Sequence, residues 1–186
     1  MPANLIEEIL ERAKELEALR FGEFKLSAGR TSTYYFDGRL LTLDPKGAHL
    51  VATAFLPLLK TTKADAIAGP TLGADPIVAA VAVTSHLDNH PIHGLLVRKE
   101  QKDYGTGKLI EGSLKKGLRV GIVDDTCSSG ASLFHAIEAI EKAGCKVVKV
   151  LSILDRNEGG GDELRRRGYD FSTLLIADGK GGIVPA

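Results

Sequence analysis

The sequence contains no tryptophan, one methionine and two cysteines among its 186 residues. The cysteines, Cys127 and Cys145, have neither the spacing of a zinc site nor the number needed for a disulfide framework, so a fold stapled by metal or disulfides is not expected. An excess of charge is also missing, because 24 Lys and Arg residues balance 24 Asp and Glu residues. Without a global field that attracts nucleic acid or an anionic membrane, any anion site must be local.

Long hydrophobic runs are missing as well. The longest apolar stretch runs from Ile77 to Val83, far short of the roughly 20 residues with which a helix crosses a bilayer. Near the N-terminus, Glu7, Glu8 and Glu11 interrupt the uncharged stretch that a secretory signal peptide requires. The sequence therefore predicts neither a transmembrane helix nor a signal peptide, and it favours a cytoplasmic location with reduced thiols.

The pattern that is present is an alternation of helices and strands. With 44% hydrophobic and 26% charged residues, the chain has the composition of a globular protein, and no linker or repeat divides residues 1–186 into two domains. One helix is predicted to start at the N-cap Asn4, and a second runs from the N-cap Asp44 to Leu58. The remaining predicted elements are a strand at 66–68, a helix at 76–85, strands at 92–97 and 119–123, a helix at 132–143 and a strand at 147–154. This alternation is typical of an α/β fold, with a mainly parallel central sheet flanked by helices.

Two segments break the alternation. The polar stretch from Arg98 to Lys108 is longer than an ordinary connection of about 2 to 6 residues, and such loops are usually either functional or disordered. The segment from Phe24 to Asp37 carries three adjacent aromatic residues beside Gly29 and Arg30. We expect it to form a small cap over the edge of the sheet.

The most informative segment is VGIVDDTCSSGAS, residues 120–132. An apolar strand is predicted to end at Asp124 and Asp125, and a loop of small residues then opens a helix. The N–H groups of a helix N-terminus at the carboxyl end of a strand favour an anion, so we expect a phosphate on residues 128–132. Adjacent carboxylates are natural acceptors for two neighbouring sugar hydroxyls, and together these features predict a site for a phosphorylated ribose. The alternative is that Asp125 and Ser128 only cap the helix.

Other phosphate-binding loops are excluded by motif. The sequence has no G-x-x-x-x-G-K-[ST] and no G-x-G-x-x-G after a strand. By motif, the chain is therefore expected to be neither a P-loop NTPase nor a dinucleotide-binding protein.

Residues 120–132 resemble the phosphoribosyl pyrophosphate (PRPP) signature of the type I phosphoribosyltransferases. Residues 24–37, 98–105, 110–112 and 155–156 are similar to orotate phosphoribosyltransferases, and the likeness covers nearly the whole chain. It implies the type I phosphoribosyltransferase fold in a single domain, with residues 1–40 as a helix and hood and residues 98–112 as a mobile active-site loop. It also implies transfer of the 5-phosphoribosyl group from PRPP to orotate, which gives orotidine 5-monophosphate and pyrophosphate in pyrimidine synthesis.

The resemblance also implies roles for individual residues. Asp124 and Asp125 would bind the ribose 2- and 3-hydroxyls, and residues 128–132 the 5-phosphate. The PRPP-binding residues that it implies are Arg98, Lys99, Lys102, Tyr104, Asp124, Asp125, Thr126, Cys127, Ser128, Ser129, Gly130, Ala131 and Ser132. Lys102, Tyr104 and Asp125 are the implied catalytic residues, and Ser128 and Arg156 the implied orotate contacts. Mg²⁺ is the implied cofactor, carried mainly by PRPP with no side-chain ligand predicted.

The cations of the long loop fit this reaction. Arg98, Lys99 and Lys102 lie within five residues, and positioned cations ease the departure of a charged leaving group such as pyrophosphate. In the family this loop closes over the active site of the neighbouring subunit, so the resemblance implies a homodimer with shared sites. The alternative for such a run of charge is a solvated surface stretch.

Two further motifs each have an alternative. Arg156 offers a bidentate fork for a planar carboxylate such as that of orotate, or it forms a structural ion pair with Asp155 or Glu158. Residues 69–76 resemble the family's pyrophosphate-binding loop, although a turn that merely opens a helix would look the same.

The sequence also departs from the family. Many members have Lys and Ser where Ser27 and Ala28 stand, and some have Lys at Gly73. Tyr104 stands where many have His, and a phenol with a pKa near 10 does not titrate near neutrality. Two rival functions remain: a phosphoribosyltransferase for another base such as a purine, and a regulatory protein that senses PRPP and binds nucleic acid.

Overall fold

Helices and strands alternate along most of the chain, as the sequence predicts. The computed structural model describes residues 3–25, 31–100 and 108–186. The helices are α1 (Ala3–Glu15), α2 (Gly38–Thr42), α3 (Pro45–Thr61), α4 (Asp75–Leu87), α5 (Ala131–Lys142) and α6 (Gly160–Arg166). The strands are β1 (Leu19–Lys25), β2 (Thr31–Phe36), β3 (Ala66–Pro70), β4 (His93–Val97), β5 (Ile110–Gly112), β6 (Arg119–Cys127), β7 (Lys146–Asp155), β8 (Phe171–Ala177) and β9 (Ile183–Pro185).

Seven strands form the central sheet, in the order β5-β4-β3-β6-β7-β8-β9. The five inner strands are parallel, and β5 and β9 pair antiparallel at the two edges. Every residue of β3 is buried, as expected for a parallel strand covered on both faces. The prediction of an α/β fold with a mainly parallel sheet is therefore confirmed, and the carboxyl ends of the inner strands meet at one edge.

Apolar side chains cover both faces of the sheet. On one face, α3 and α4 bury Phe55, Leu59 and Ile77, and on the other face α5 buries Ile137 and Ile140. Each of these side chains contributes about 1.5 to 3 kcal/mol to folding through its removal from water. The sheet is thus a firm platform for the loops at its carboxyl edge. Within the described part of the chain, no helix combines the length and hydropathy needed to cross a membrane.

The two predicted helix starts had different outcomes. The Asp44 side chain accepts a hydrogen bond from the Gly47 N–H at 2.8 Å, so Asp44 is confirmed as the N-cap of α3. Arg12 of α1 donates to the same carboxylate and fixes α1 against α3. The prediction of Asn4 as an N-cap is wrong, because α1 already includes Ala3.

The N-terminal segment forms a hairpin and a short helix beside the sheet. Strands β1 and β2 form a separate two-stranded antiparallel sheet, and α2 follows directly, capped by Asp37. The sequence patterns did not predict α2, α6, β1, β2, β5, β8 or β9. Strand β5 lies at the end of the 98–112 segment expected to be a loop, because it pairs with β4 and forms the edge of the sheet.

Candidate active site

An open cleft of about 1320 Å³ lies at the carboxyl ends of β3, β4 and β6. It brings together six of the residues predicted to bind PRPP, namely Arg98, Lys99, Asp124, Asp125, Ala131 and Ser132. The end of β2, the start of α2 and the turn before α4 complete its walls. The structure thus gathers segments that are far apart in the sequence around the acidic pair.

The acidic pair lies inside strand β6, where the sequence pattern placed it after the strand. The predicted end at Val123 is wrong, since β6 continues to Cys127 by pairing with β7. Asp is a poor strand former by itself, but the parallel neighbour β7 supplies partners for the backbone groups of this part of β6. Both carboxylates are consequently held on a rigid element.

Asp124 is almost fully buried, with 6% of its surface exposed. Its carboxylate accepts a hydrogen bond from the Ser132 hydroxyl at 2.6 Å and another from the Asp125 N–H at 3.0 Å. Burial, followed by the charge of Asp125, raises the pKa of Asp124 to about 7. Burial raises the pKa of Asp125 as well. Hydroxyl donors that fill the acceptor sites of the pair favour its charged form.

Two glycines enclose the Asp125 side chain from different segments. A Cβ at Gly38 would lie 2.5 Å from the Asp125 Cβ, and a Cβ at Gly73 would lie 2.8 Å from its Oδ1. The Gly73 Cβ would also lie 3.1 Å from Asp124 Oδ1. A lysine at position 73, as in some family members, would require the Asp125 carboxylate to move. Sequence patterns carry no signal for these approaches, because the contacts join distant segments.

Residues 128–132, which we call the 128–132 loop, connect the end of β6 to the first turn of α5. Gly130 has φ +79° at the N-cap, and the first helical hydrogen bond runs from the Phe134 N–H to the Gly130 carbonyl at 2.9 Å. The N–H groups of the first turn therefore precede the helical ladder and are available to an anion. Cys127 is buried, and burial raises the pKa of its thiol to about 12. It packs as a neutral side chain and is no nucleophile.

The turn between β3 and α4 runs along the acidic pair. A Cβ at Gly69, near the end of β3, would lie 2.2 Å from the Ala74 Cβ of the turn and 2.4 Å from the Val123 carbonyl oxygen of β6, so β3, the turn and β6 pack closely together here. Asp75 Oδ1 is buried with no hydrogen-bond partner in the described chain, and burial raises the pKa of this carboxyl. The geometry brings residues 70–73 and Asp75 into the same cleft as the acidic pair.

The predicted cationic loop is only partly described. Arg98 lies at the cleft with its guanidinium 3.4 Å from Glu111 Oε1, and the His135 Nε2 contacts the Arg98 carbonyl oxygen at 2.8 Å. Lys102 and Tyr104 lie outside the described residues. So do Ser27 and Ala28, two of the positions at which the sequence departs from the family.

Among the described residues predicted for the site, residues 126–130 and Arg156 do not line the main cleft. The Arg156 side chain borders a second pocket of about 280 Å³, formed with β2 and residues 179–182. The guanidinium donates to Glu158 Oε1 at 3.1 Å and lies 5.1 Å from the Tyr34 ring centroid. The ion pair expected under the structural alternative is thus present, although the Arg156 backbone adjoins the 128–132 loop.

The donor set suits a metal ion that arrives with its ligand. Within residues 3–25, 31–100 and 108–186, no group of three His, Cys, Asp or Glu side chains could hold a metal. Asp124 and Asp125 supply two oxygen donors of the kind that Mg²⁺ prefers, and Mg²⁺ usually keeps several waters besides substrate phosphates. These residues fit such an ion as a contact, without forming a complete cage.

The raised pKa of Asp124 predicts a cost in stability for the free protein. An acid with a raised folded-state pKa loses stability as pH rises from its ordinary value through the folded one, here from 3.8 to about 7. Asp124→Asn removes this cost and can keep the contact with Ser132. At pH 8 we expect the variant to be more stable than the wild type by roughly a few kcal/mol, and to melt at a higher temperature. At pH 4 the gain should vanish, and an equal difference at both pH values would contradict the shift.

Comparison with known proteins points in one direction. Residues 42–181 match the phosphoribosyl transferase domain family. The chain is 40% identical to the orotate phosphoribosyltransferase of Aquifex aeolicus, over 82% of this chain and 83% of that protein. It is 41% identical to that of Methanothermobacter thermautotrophicus, over 92% of both chains. The crystal structure of the Mycobacterium tuberculosis orotate phosphoribosyltransferase with PRPP superposes with a TM-score of 0.77 at 31% identity, covering 92% of this chain and 96% of that one.

Proposed function

The chain belongs to the orotate phosphoribosyltransferases of the phosphoribosyl transferase family, and from this premise we propose how its own residues carry out the transfer. The enzyme moves the 5-phosphoribosyl group of PRPP to orotate, which gives orotidine 5-monophosphate and pyrophosphate in pyrimidine synthesis. One observation carries the mechanism. The buried acidic pair of β6 and the free N-terminus of α5 lie together, joined by the Ser132–Asp124 hydrogen bond.

PRPP is held at both ends of its ribose. Asp124 and Asp125 accept hydrogen bonds from the 2- and 3-hydroxyls, and the N–H groups of the 128–132 loop bind the 5-phosphate. Thr126 supports the grip, because its hydroxyl donates to Asp125 Oδ1 at 3.3 Å. Two anchors on one rigid strand-to-helix unit fix the position of the ribose C1 between them, and such positioning lowers the entropic part of the barrier.

The reaction replaces one bond at C1 by another. The bond from C1 to the pyrophosphate oxygen breaks as an orotate ring nitrogen bonds to C1, and the ribose carries oxocarbenium-like positive charge between these events. The proton of that ring nitrogen leaves to the solvent or to the departing pyrophosphate. Arg98, Lys99 and Lys102 stabilise the negative charge that collects on pyrophosphate. When bound, Mg²⁺ supplies additional charge for the phosphate oxygens. Tyr104 can donate a hydrogen bond but does not titrate near neutrality.

Orotate is oriented by its carboxylate. Arg156 would exchange its present partner, Glu158, for the bidentate carboxylate, with its guanidinium still packed on Tyr34. Ser128 lies at the start of the adjoining loop, where it can contact the base. A purine lacks the carboxylate and leaves the arginine with its internal partner, which favours orotate.

A second copy of the chain completes the enzyme in this proposal. Large exposed aliphatic side chains occur on or directly after α2, on the turn before α4 and on α4 itself, namely Leu40, Leu43, Leu72, Val83 and Leu87. Helix α2 packs against α4, so exposed apolar side chains occur on neighbouring elements, and exposed apolar patches are typical of protein interfaces. A partner that covers these side chains could extend its 98–112 loop into the cleft. Two buried free cysteines are compatible with the proposed cytoplasmic location.

Arg156→Ala tests the assignment of orotate. The variant should raise the KM for orotate about tenfold, as for loss of a charge-assisted hydrogen bond, and leave the KM for PRPP within about twofold. Wild-type enzyme should consume orotate and neither adenine nor hypoxanthine, followed by absorbance with PRPP and Mg²⁺ present.

Arg165→Ala is a matched control. Arg165 also pairs with a carboxylate and lies 5.1 Å from an aromatic ring centroid, that of Phe171, but it borders neither described pocket. Its loss should leave both KM values unchanged. An equal rise of both KM values in Arg156→Ala would show that Arg156 is structural, and use of a purine by the wild-type enzyme would contradict the proposed substrate.

A further inference from the structure

The chain that leaves β7 folds back against the 128–132 loop. Two backbone hydrogen bonds join the segments. The Arg156 N–H donates to the Cys127 carbonyl at 2.8 Å, and the Gly160 N–H donates to the Ser128 carbonyl at 2.9 Å. Residues 156–160, the buttress, therefore support the loop from the side of α6.

Gly160 approaches the loop more closely than any other residue type could. A Cβ at this position would lie 2.5 Å from the Ser128 carbonyl oxygen, 2.6 Å from the Gly130 nitrogen and 2.7 Å from the Ser129 carbonyl carbon. All three are backbone atoms, so no rotation of a side chain can relieve the contact. The two main chains touch, and any side chain at position 160 must push them apart.

The hydrogen bonds also set the direction of the loop's peptide groups. In a trans peptide the C=O and the following N–H point in opposite directions. Because the Cys127 and Ser128 carbonyls point at the buttress, the N–H groups of Ser128 and Ser129 point away from it. Carbonyl oxygens that would repel an anion are thereby turned aside, and N–H groups that attract it face the other way.

The buttress is fixed from behind by a buried carboxylate. Asp155 is 3% exposed, and its Oδ1 accepts the Asn157 N–H at 2.9 Å. A Cβ at Gly161 would lie 2.3 Å from Asp155 Oδ2. With Asp155 filling the space on one side of the segment, a side chain at position 160 would displace the 128–132 loop on the other.

We propose that Gly160 is a positioning residue for PRPP, acting through the 128–132 loop that it touches. The inference rests on the proposed role of that loop in binding the 5-phosphate. Gly160 contacts no substrate itself. Its contribution is the close backbone approach that presents the loop N–H groups in the direction that a phosphate needs.

Gly160→Ala is the test, with ribose 5-phosphate as the probe. The variant should bind ribose 5-phosphate about tenfold more weakly by calorimetry and should raise the KM for PRPP about as much, with a smaller change in the KM for orotate. Gly168→Ala at the other end of α6 is the control. Gly168 has φ +86° and open space around its Cβ position, so this change strains the backbone without touching the loop, and ligand affinities should be unchanged.

The outcomes separate the inference from the proposed function. Failure of the wild-type enzyme to bind ribose 5-phosphate would overturn both. If the wild type binds it and a folded Gly160→Ala binds equally well, the role of Gly160 alone is wrong.

Amide exchange keeps the inference testable if Gly160→Ala does not fold. In the wild type, bound ribose 5-phosphate should slow hydrogen exchange at the Gly160 N–H, because the ordered loop holds its acceptor. Unchanged exchange in the saturated enzyme would contradict the coupling.

Discussion

Mixed dimers of Lys102→Ala and Asp125→Asn subunits are expected to recover about a quarter of wild-type activity, although each parent dimer should be nearly inactive. The first parent lacks a cation that stabilises departing pyrophosphate, and the second lacks an acceptor for the ribose. If Lys102 works in the neighbouring subunit, both lesions of a heterodimer fall on one site and leave the other intact. Random pairing makes about half of the dimers mixed, with one working site in each.

The measurement is activity after equal amounts of the two variants are unfolded and refolded together. Differently tagged chains establish that heterodimers have formed. If tagged heterodimers are as inactive as their parents, the loop serves its own subunit and the shared site is wrong.

A double variant supplies the reciprocal control. Refolding wild-type chains with an equal amount of Lys102→Ala/Asp125→Asn chains should leave about a quarter of the activity of an all-wild-type sample if the loop acts on the partner. If it acts on its own subunit, every wild-type site works and about half remains. If the loop acts on the partner, each mixture has about a quarter of the wild-type activity. If the loop acts on its own subunit, the first mixture is nearly inactive and the second keeps about half.

The local sequence predicted the succession of strand, loop and helix around the acidic pair, although it ended the strand too early, at Val123. Residues 120–132 encode this unit in one contiguous stretch, because apolar residues, carboxylates and small residues follow one another in the order that the unit requires. The alternation of patterns also predicted the mainly parallel sheet. Both predictions rest on patterns formed by residues that are close together in the sequence.

The contacts that shape the site around that unit were not predictable in this way. Gly38, Gly73 and Gly160 matter because segments distant in sequence pass within contact of Asp125 or the 128–132 loop. A glycine in a sequence can reflect a turn, a positive φ or a close approach of another segment, and only the packed structure shows which of these applies. The extension of β6 to Cys127 has the same origin, since β7 supplies the partners. Arg156 offered two partners, and its ion pair with Glu158 became visible only in three dimensions.

Asp125→Asn is expected to weaken PRPP binding about 10- to 150-fold, which corresponds to about 1.5 to 3 kcal/mol for a hydrogen bond to a charged group. The amide has nearly the shape of the carboxylate, so it fits between Gly38 and Gly73. The amide cannot accept hydrogen bonds from hydroxyls at both of its terminal atoms, however, because one of them is an NH₂ group that only donates. The fold should therefore persist while the ribose grip is lost.

Asp65→Asn provides a matched change outside the cleft. Asp65 precedes β3 at the opposite end of the sheet, where its carboxylate accepts the Arg119 N–H at 2.8 Å. Its replacement can cost stability, but it should leave PRPP affinity unchanged. If both variants lost PRPP affinity to the same extent, the loss would reflect damage to the fold and not a change in the binding site.

The central claim, that the acidic pair of β6 holds the ribose of PRPP, is tested most directly by calorimetric titration of PRPP with Mg²⁺ into the wild type, Asp125→Asn and Asp65→Asn. The claim predicts tight binding by the wild type and Asp65→Asn, and an affinity about 10- to 150-fold lower for a folded Asp125→Asn. Equal PRPP affinity in the wild type and Asp125→Asn would contradict it.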